Sequence, residues 1–89
     1  MTFKAAFAGN LKRYRKRAGL SQEDLATLAS VSRDTINKYE RRVHVPTLVA
    51  LVKVAGALQV PPADLLDGIT YRPGFTGAGE GRFETGAIS

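Results

Sequence analysis

Leu20-Ser21 is followed by Leu25, and Val31-Ser32 is followed by Ile36, so one helix-start pattern occurs twice, eleven residues apart. In each copy a serine is placed to cap the first free N–H groups of a helix, and the flanking apolar residues form a staple across the cap. Ser21 also has Asp24 three residues on, a capping box with Asp in the Glu/Gln position. Two helix starts this close leave room for one helix of about nine residues, carried by Leu25, Ala26, Leu28 and Ala29, and for a turn at Ser30-Val31. The two helices cannot be collinear, and the pair is predicted to be a helix-turn-helix unit whose second helix runs to about Arg41.

The flanking segments supply the rest of a small helical core. Phe3, Phe7, Leu11, Tyr14 and Ala18 recur at helical spacing behind Thr2 as a cap, and Gly19 stops that helix. Lys12, Arg13, Lys16 and Arg17 share an arc of about 140° on its other side. Arg15 lies between the arc and the stripe and so needs an acidic partner. After the break at His44-Val45-Pro46, Thr47 caps a fourth helix whose buried face is predicted to be Leu48, Leu51, Val52, Ala55 and Leu58. Pro62 suits the first turn of a short fifth helix through Leu66, ended by Gly68. Residues 1–68 therefore read as one all-α domain of five helices. Residues 69–89 read as a separate tail or dimerisation arm. Six of the nine glycines lie in 68–89, which favours a flexible tail, while Ile69-Thr70-Tyr71 and Arg82-Phe83-Glu84-Thr85 have the composition of short strands around a loop.

Charge points toward a partner. Of the 13 Lys and Arg side chains, six (Lys4, Lys12, Arg13, Arg15, Lys16, Arg17) fall in residues 1–20, which hold no acidic residue. Such a block fits a polyanion, either nucleic acid or an acidic membrane surface. The chain has no cysteine, which excludes disulfides and thiolate metal sites and fits a reducing interior. No apolar run approaches 18 residues, and the first ten residues do not resemble a signal peptide. Ser21 and Ser32 are read as caps rather than nucleophiles. The single histidine, His44, stands in a linker without a triad or ligand set around it. No enzymatic activity, metal or cofactor is expected.

From Leu11 to Leu66 the chain resembles the Cro/CI-type, or XRE-like, phage-repressor family of helix-turn-helix domains. The resemblance rests on Gly19-Leu20-Ser21-Gln22, Leu25-Ala26, Val31-Ser32, Ile36, Tyr39-Glu40, Pro46 with Leu48, and Leu65-Leu66. It implies a lambda-repressor-like fold, double-stranded DNA as partner, and a transcriptional regulator, most often a repressor, that binds a palindromic operator as a homodimer. It further implies a cytoplasmic, nucleoid-associated protein of bacterial or phage origin, without a small-molecule effector. The alternative is an antitoxin or protein-interaction module of the same fold. Two positions depart from the family pattern. Ser30 and Arg42 stand where glycine is usual, and a left-handed backbone there costs roughly 1–2 kcal/mol.

On the third helix, Arg33, Asp34, Asn37, Lys38 and Arg41 fall within one arc of about 140°, with Ile36 and Tyr39 opposite. Long, multivalent hydrogen-bonding side chains on one face suit base edges in the major groove. The expected base contacts are Arg33 to guanine, Asp34 to cytosine, Asn37 to adenine, and Lys38 to guanine or a phosphate. Arg41 and Arg42 are expected at phosphates together with Ser32, and Lys12, Arg13 and Lys16 add attraction. By the resemblance, Gln22 touches the phosphate backbone or orients a base contact, and Glu40 pairs with Arg15. The fifth helix and the Tyr71 to Phe83 segment are the candidate dimer surface.

Overall fold

The computed structural model describes residues 2–73 and 81–85. Four α-helices, α1 (Phe3–Arg17), α2 (Gln22–Ala29), α3 (Arg33–Glu40) and α4 (Leu48–Leu58), are followed by a 3₁₀ helix (Pro62–Leu66) and strands β1 (Ile69–Arg72) and β2 (Arg82–Thr85). Five α-helices were expected; the fifth element is instead a 3₁₀ helix of five residues. Two successive prolines remove two backbone donors at its start, and Gly68 follows closely, so there is no room for an i→i−4 ladder to propagate.

Every α-helix starts and ends by the same local devices. Thr2, Ser21, Ser32 and Thr47 accept from the N–H three residues on, at 3.0–3.1 Å. Asp24 returns the bond to the Ser21 N–H at 3.1 Å and completes the capping box. At the other end of each helix one residue takes a positive φ: Gly19 (74°), Ser30 (56°), Arg42 (66°) and Gln59 (59°). The next N–H, from Leu20, Val31, Val43 or Val60, reaches back to a carbonyl five residues earlier at 2.9–3.1 Å. This is the Schellman closure, in which an apolar residue follows the left-handed one. The turn at Ser30 is therefore made without glycine, and Gln59 repeats the same conformation after α4. Replacing Ser30 by glycine should relieve about 1–2 kcal/mol of left-handed strain and give back about 0.5–1 kcal/mol in unfolded-chain entropy. Ser30→Gly and Gln59→Gly are each expected to raise the melting temperature by a few degrees, read by circular dichroism. Unchanged melts in both would mean the strain is absent.

One core joins the helices. Phe7, Leu11, Leu25, Ile36, Val54 and Leu65 are fully buried and come from α1, α2, α3, α4 and the 3₁₀ helix. Tyr39 meets Phe7 edge-on at 5.8 Å. The fourth helix buries Leu51, Val54, Ala55 and Leu58, whereas Leu48 and Val52, expected in that face, are 76% and 50% exposed. Val52 is offset by about 100° from Leu51 around the helix. Leu48 keeps the spacing of the stripe but stands at the first residue, beyond the layer that covers it. Strands β1 and β2 pair antiparallel, with Tyr71 opposite Phe83. The two rings meet edge-on at 5.2 Å, and Phe83 also packs edge-on against Phe3 of α1 at 5.2 Å. Residues 74–80 and 86–89 of the expected arm lie outside the described residues.

Candidate nucleic-acid interface

The Schellman closure at Ser30 and the cap at Ser32 set where α3 begins, with only Ser30, Val31 and Ser32 between it and α2. Arg33 and Asp34 occupy the first turn of α3 and are exposed, and Asn37 follows one turn later, half-buried. These three line one shallow depression. Asp34 is not free: its carboxylate pairs with Lys38 at 3.0 Å along the helix. Both side chains are open to solvent, so the pair is worth only about 0.3–0.5 kcal/mol and can exchange partners readily. Arg41 and Arg42 follow as exposed residues at the end of the helix. The Ser32 hydroxyl is occupied by the Thr35 N–H at 3.0 Å and lies 2.8 Å from the Thr35 hydroxyl.

Behind the exposed face runs a polar chain, buried at its Glu40 end. Arg15 grips Glu40 with two bonds, Nε to Oε2 at 2.6 Å and Nη2 to Oε1 at 2.9 Å. Its third donor, Nη1, reaches the Leu20 carbonyl at 2.9 Å, so α1, the α1–α2 turn and α3 are tied at one point. Gln22 donates from Nε2 to Glu40 Oε1 at 3.1 Å, and its Oε1 accepts from Asn37 Nδ2 at 3.2 Å. The Glu40 side chain is only 2% exposed. Burial pushes its carboxyl up, but the hydrogen bonds from Arg15 and Gln22, with the charges of Arg15 and Lys12, outweigh this and hold it below the usual carboxylate range. The hydrogen bond to Glu40 raises the Arg15 guanidinium above its ordinary value, against the effect of burial.

The basic face of α1 divides in two. Lys12 stands close enough to Glu40 to affect its charge. Lys16 is exposed near it on the same face. Arg13 and Arg17 instead stack over Tyr14, each 5.3 Å from the ring centroid. Arg13 also donates to Asn10 Oδ1 at 3.1 Å. Two polar contributors were not anticipated. Lys53 of α4 donates to the Ser30 carbonyl at 3.1 Å and adds a cation beside the turn. Asn10, buried in α1, donates to the carbonyls of Leu65 and Asp67, both at 3.0 Å. Asn10 carried one readable signal, an amide next to the apolar stripe of α1, but its partners lie more than fifty residues away. Among the described residues no group of three or more His, Cys, Asp or Glu side chains is placed to hold a metal.

A family model described as Helix-turn-helix, HTH_3, matches residues 11–65. The HTH-type transcriptional regulator SlrR of Bacillus subtilis is 39% identical over 61 residues, covering 67% of this chain and 40% of that protein. The chain thus spans about two fifths of the length of that relative. The restriction-modification controller protein C.AhdI of Aeromonas hydrophila superposes with a TM-score of 0.68 at 35% identity, over 70% of this chain and 94% of its own. The DNA-binding domain of the P22 C2 repressor does so with a TM-score of 0.67 at 29% identity, over 70% and 82% of the two chains.

Proposed function

The chain belongs to the Helix-turn-helix family HTH_3, of Cro/CI type, and from that premise we propose that it is a sequence-specific regulator of transcription that binds double-stranded DNA. It acts as a repressor, and two copies bind a palindromic operator. The observation that carries this reading is the face of α3, where Arg33, Asp34, Asn37 and Lys38 stand together and Asn37 is hydrogen-bonded to Gln22 behind it. These four meet base edges. Lys12, Lys16, Arg41 and Arg42 neutralise phosphates, and the capped start of α3 at Ser32 sits against the backbone. Arg13, held by Asn10 and Tyr14, adds to the long-range field rather than to a fixed contact.

The homodimer is supported by exposed apolar side chains at Leu48, Val49 and Val52 on α4 and at Tyr71 and Phe83 on the hairpin. Selection of bound duplexes from a random pool, repeated at two salt concentrations, tests the proposal. A palindromic consensus is expected, with half-sites about one helical turn apart. If two copies each neutralise about four phosphates, log affinity falls with a slope of about −7 against log salt. No enrichment of any sequence would leave a protein-binding module as the reading.

A further inference from the structure

The side-chain chain Arg15–Glu40–Gln22–Asn37 has a direction. Arg15 can only donate, and an ionised Glu40 can only accept. Glu40 Oε1 takes a bond from Arg15 Nη2 at 2.9 Å and one from Gln22 Nε2 at 3.1 Å. Gln22 must therefore present its amino group to Glu40, which turns its oxygen toward Asn37. Asn37 must answer with its own amino group, as it does at 3.2 Å. What remains of Asn37 on the exposed side is its Oδ1 and the second hydrogen of Nδ2. An isolated asparagine would be free to flip its amide and present either polarity. Here the flip would set oxygen against oxygen at Gln22.

We propose that Glu40, acting through Gln22, is a specificity-determining positioning residue that fixes the hydrogen-bond polarity of Asn37, so that Asn37 reads adenine. The exposed acceptor meets the adenine N6 amino group, and the remaining N–H meets N7. Guanine offers acceptors at both corresponding atoms and is refused. The Arg15 end of the chain anchors the carboxylate and makes no contact with DNA. The inference rests on the DNA-binding reading above and goes beyond it, because it makes Glu40, which meets no base, the origin of the polarity that Asn37 presents.

The test is duplex selection with the full chain and with Asn37→Ala, Gln22→Leu and Gln22→Ala. Gln22 is half-exposed at the start of α2, so these changes leave the core and the Arg15–Glu40 pair in place, and thermal melts verify it. Asn37→Ala identifies the base pair that Asn37 reads. At that pair alone, both Gln22 variants should lose about tenfold of the preference for adenine, with the rest of the consensus kept. Weaker binding to all sequences with the adenine preference intact would overturn the relay and return Gln22 to a backbone contact. So would an Asn37→Ala variant that keeps that preference at every pair. Failure of the unmodified chain to enrich any sequence would instead overturn the DNA-binding reading itself.

Discussion

Arg15→Ala is expected to lower the melting temperature by more than 10 °C, while Lys12→Ala leaves it within a few degrees. The reason is what each change strands. Removing Arg15 leaves the Glu40 carboxylate 2% exposed in its native environment, with only Gln22 to answer it. Breaking a buried pair in this way typically costs about 3–5 kcal/mol, and in a domain of this size each kcal/mol is about 4–8 °C. The pair itself contributes less than that, because both charges were desolvated to form it. The double change Arg15→Met with Glu40→Leu should therefore recover most of the loss. Lys12 is exposed and touches Glu40 only through its field.

The pH dependence separates the two variants further. Glu40 is held below the usual carboxylate range in the folded chain. Its contribution is fully present above the unfolded value of about 4.3, and it is lost as pH falls through the lower folded value. Without Arg15 the buried carboxylate is pushed upward instead, so acid protonates it in the folded state first and stabilises it relative to neutral pH. The gap between Arg15→Ala and the parent chain is expected to narrow as pH falls from 7 to 4 in chemical denaturation. A gap that stays constant would mean the loss is packing rather than charge.

Asn10→Ala is the second large effect, about 2–4 kcal/mol. Asn10 is 6% exposed and closes the end of the 3₁₀ helix by donating to two carbonyls, while its oxygen holds Arg13. The 3₁₀ helix has no side-chain cap at its start, where Pro61 and Pro62 stand. Its order therefore depends on Leu65 in the core and on this amide. Truncation leaves the buried Leu65 carbonyl without this donor, at about 1–3 kcal/mol, and the part-buried Asp67 carbonyl at less. Asn10→Asp is the sharper comparison, because it keeps the volume but sets a carboxylate against two carbonyl oxygens. It should be less stable than Asn10→Ala in the same melts. Equal stability of Asn10→Asp and the parent chain would show that the amide donors are not needed.

Most of the helix boundaries were legible because they are set locally. A cap acts between residues i and i+3, and a staple across five, so Ser21 with Leu20 and Leu25, or Ser32 with Val31 and Ile36, can be recognised without knowing the fold. Left-handed closure is equally local. It was foreseen at Ser30 and Arg42 through the family pattern, but at Gln59 nothing in the side chain announces it. Two expectations for α4 failed for different reasons. Val52 lies about 100° around the helix from Leu51 and so off the buried face, whereas Leu48 keeps the spacing but stands where α2 and the 3₁₀ helix stop covering α4.

The candidate site divides along the same line. That Arg33, Asp34, Asn37 and Lys38 share a face follows from 100° per residue and was readable from spacing alone. That Asp34 is engaged by Lys38 was latent in the same spacing. The link from Gln22 to Asn37, fifteen residues on, and from Arg15 to Glu40, twenty-five residues on, needed three helices brought to one point. By itself the sequence determined where four helices begin and which side chains lie along the outer face of α3. The Arg15–Glu40 pair is implied by the family resemblance; only the tertiary structure decided that Gln22 joins Glu40 to Asn37, and hence which way the Asn37 amide points. The physical reason is that caps and stripes are fixed by backbone geometry within one turn, whereas the polarity of a hydrogen-bonded chain is set at its charged end, here a carboxylate on one helix facing a guanidinium on another.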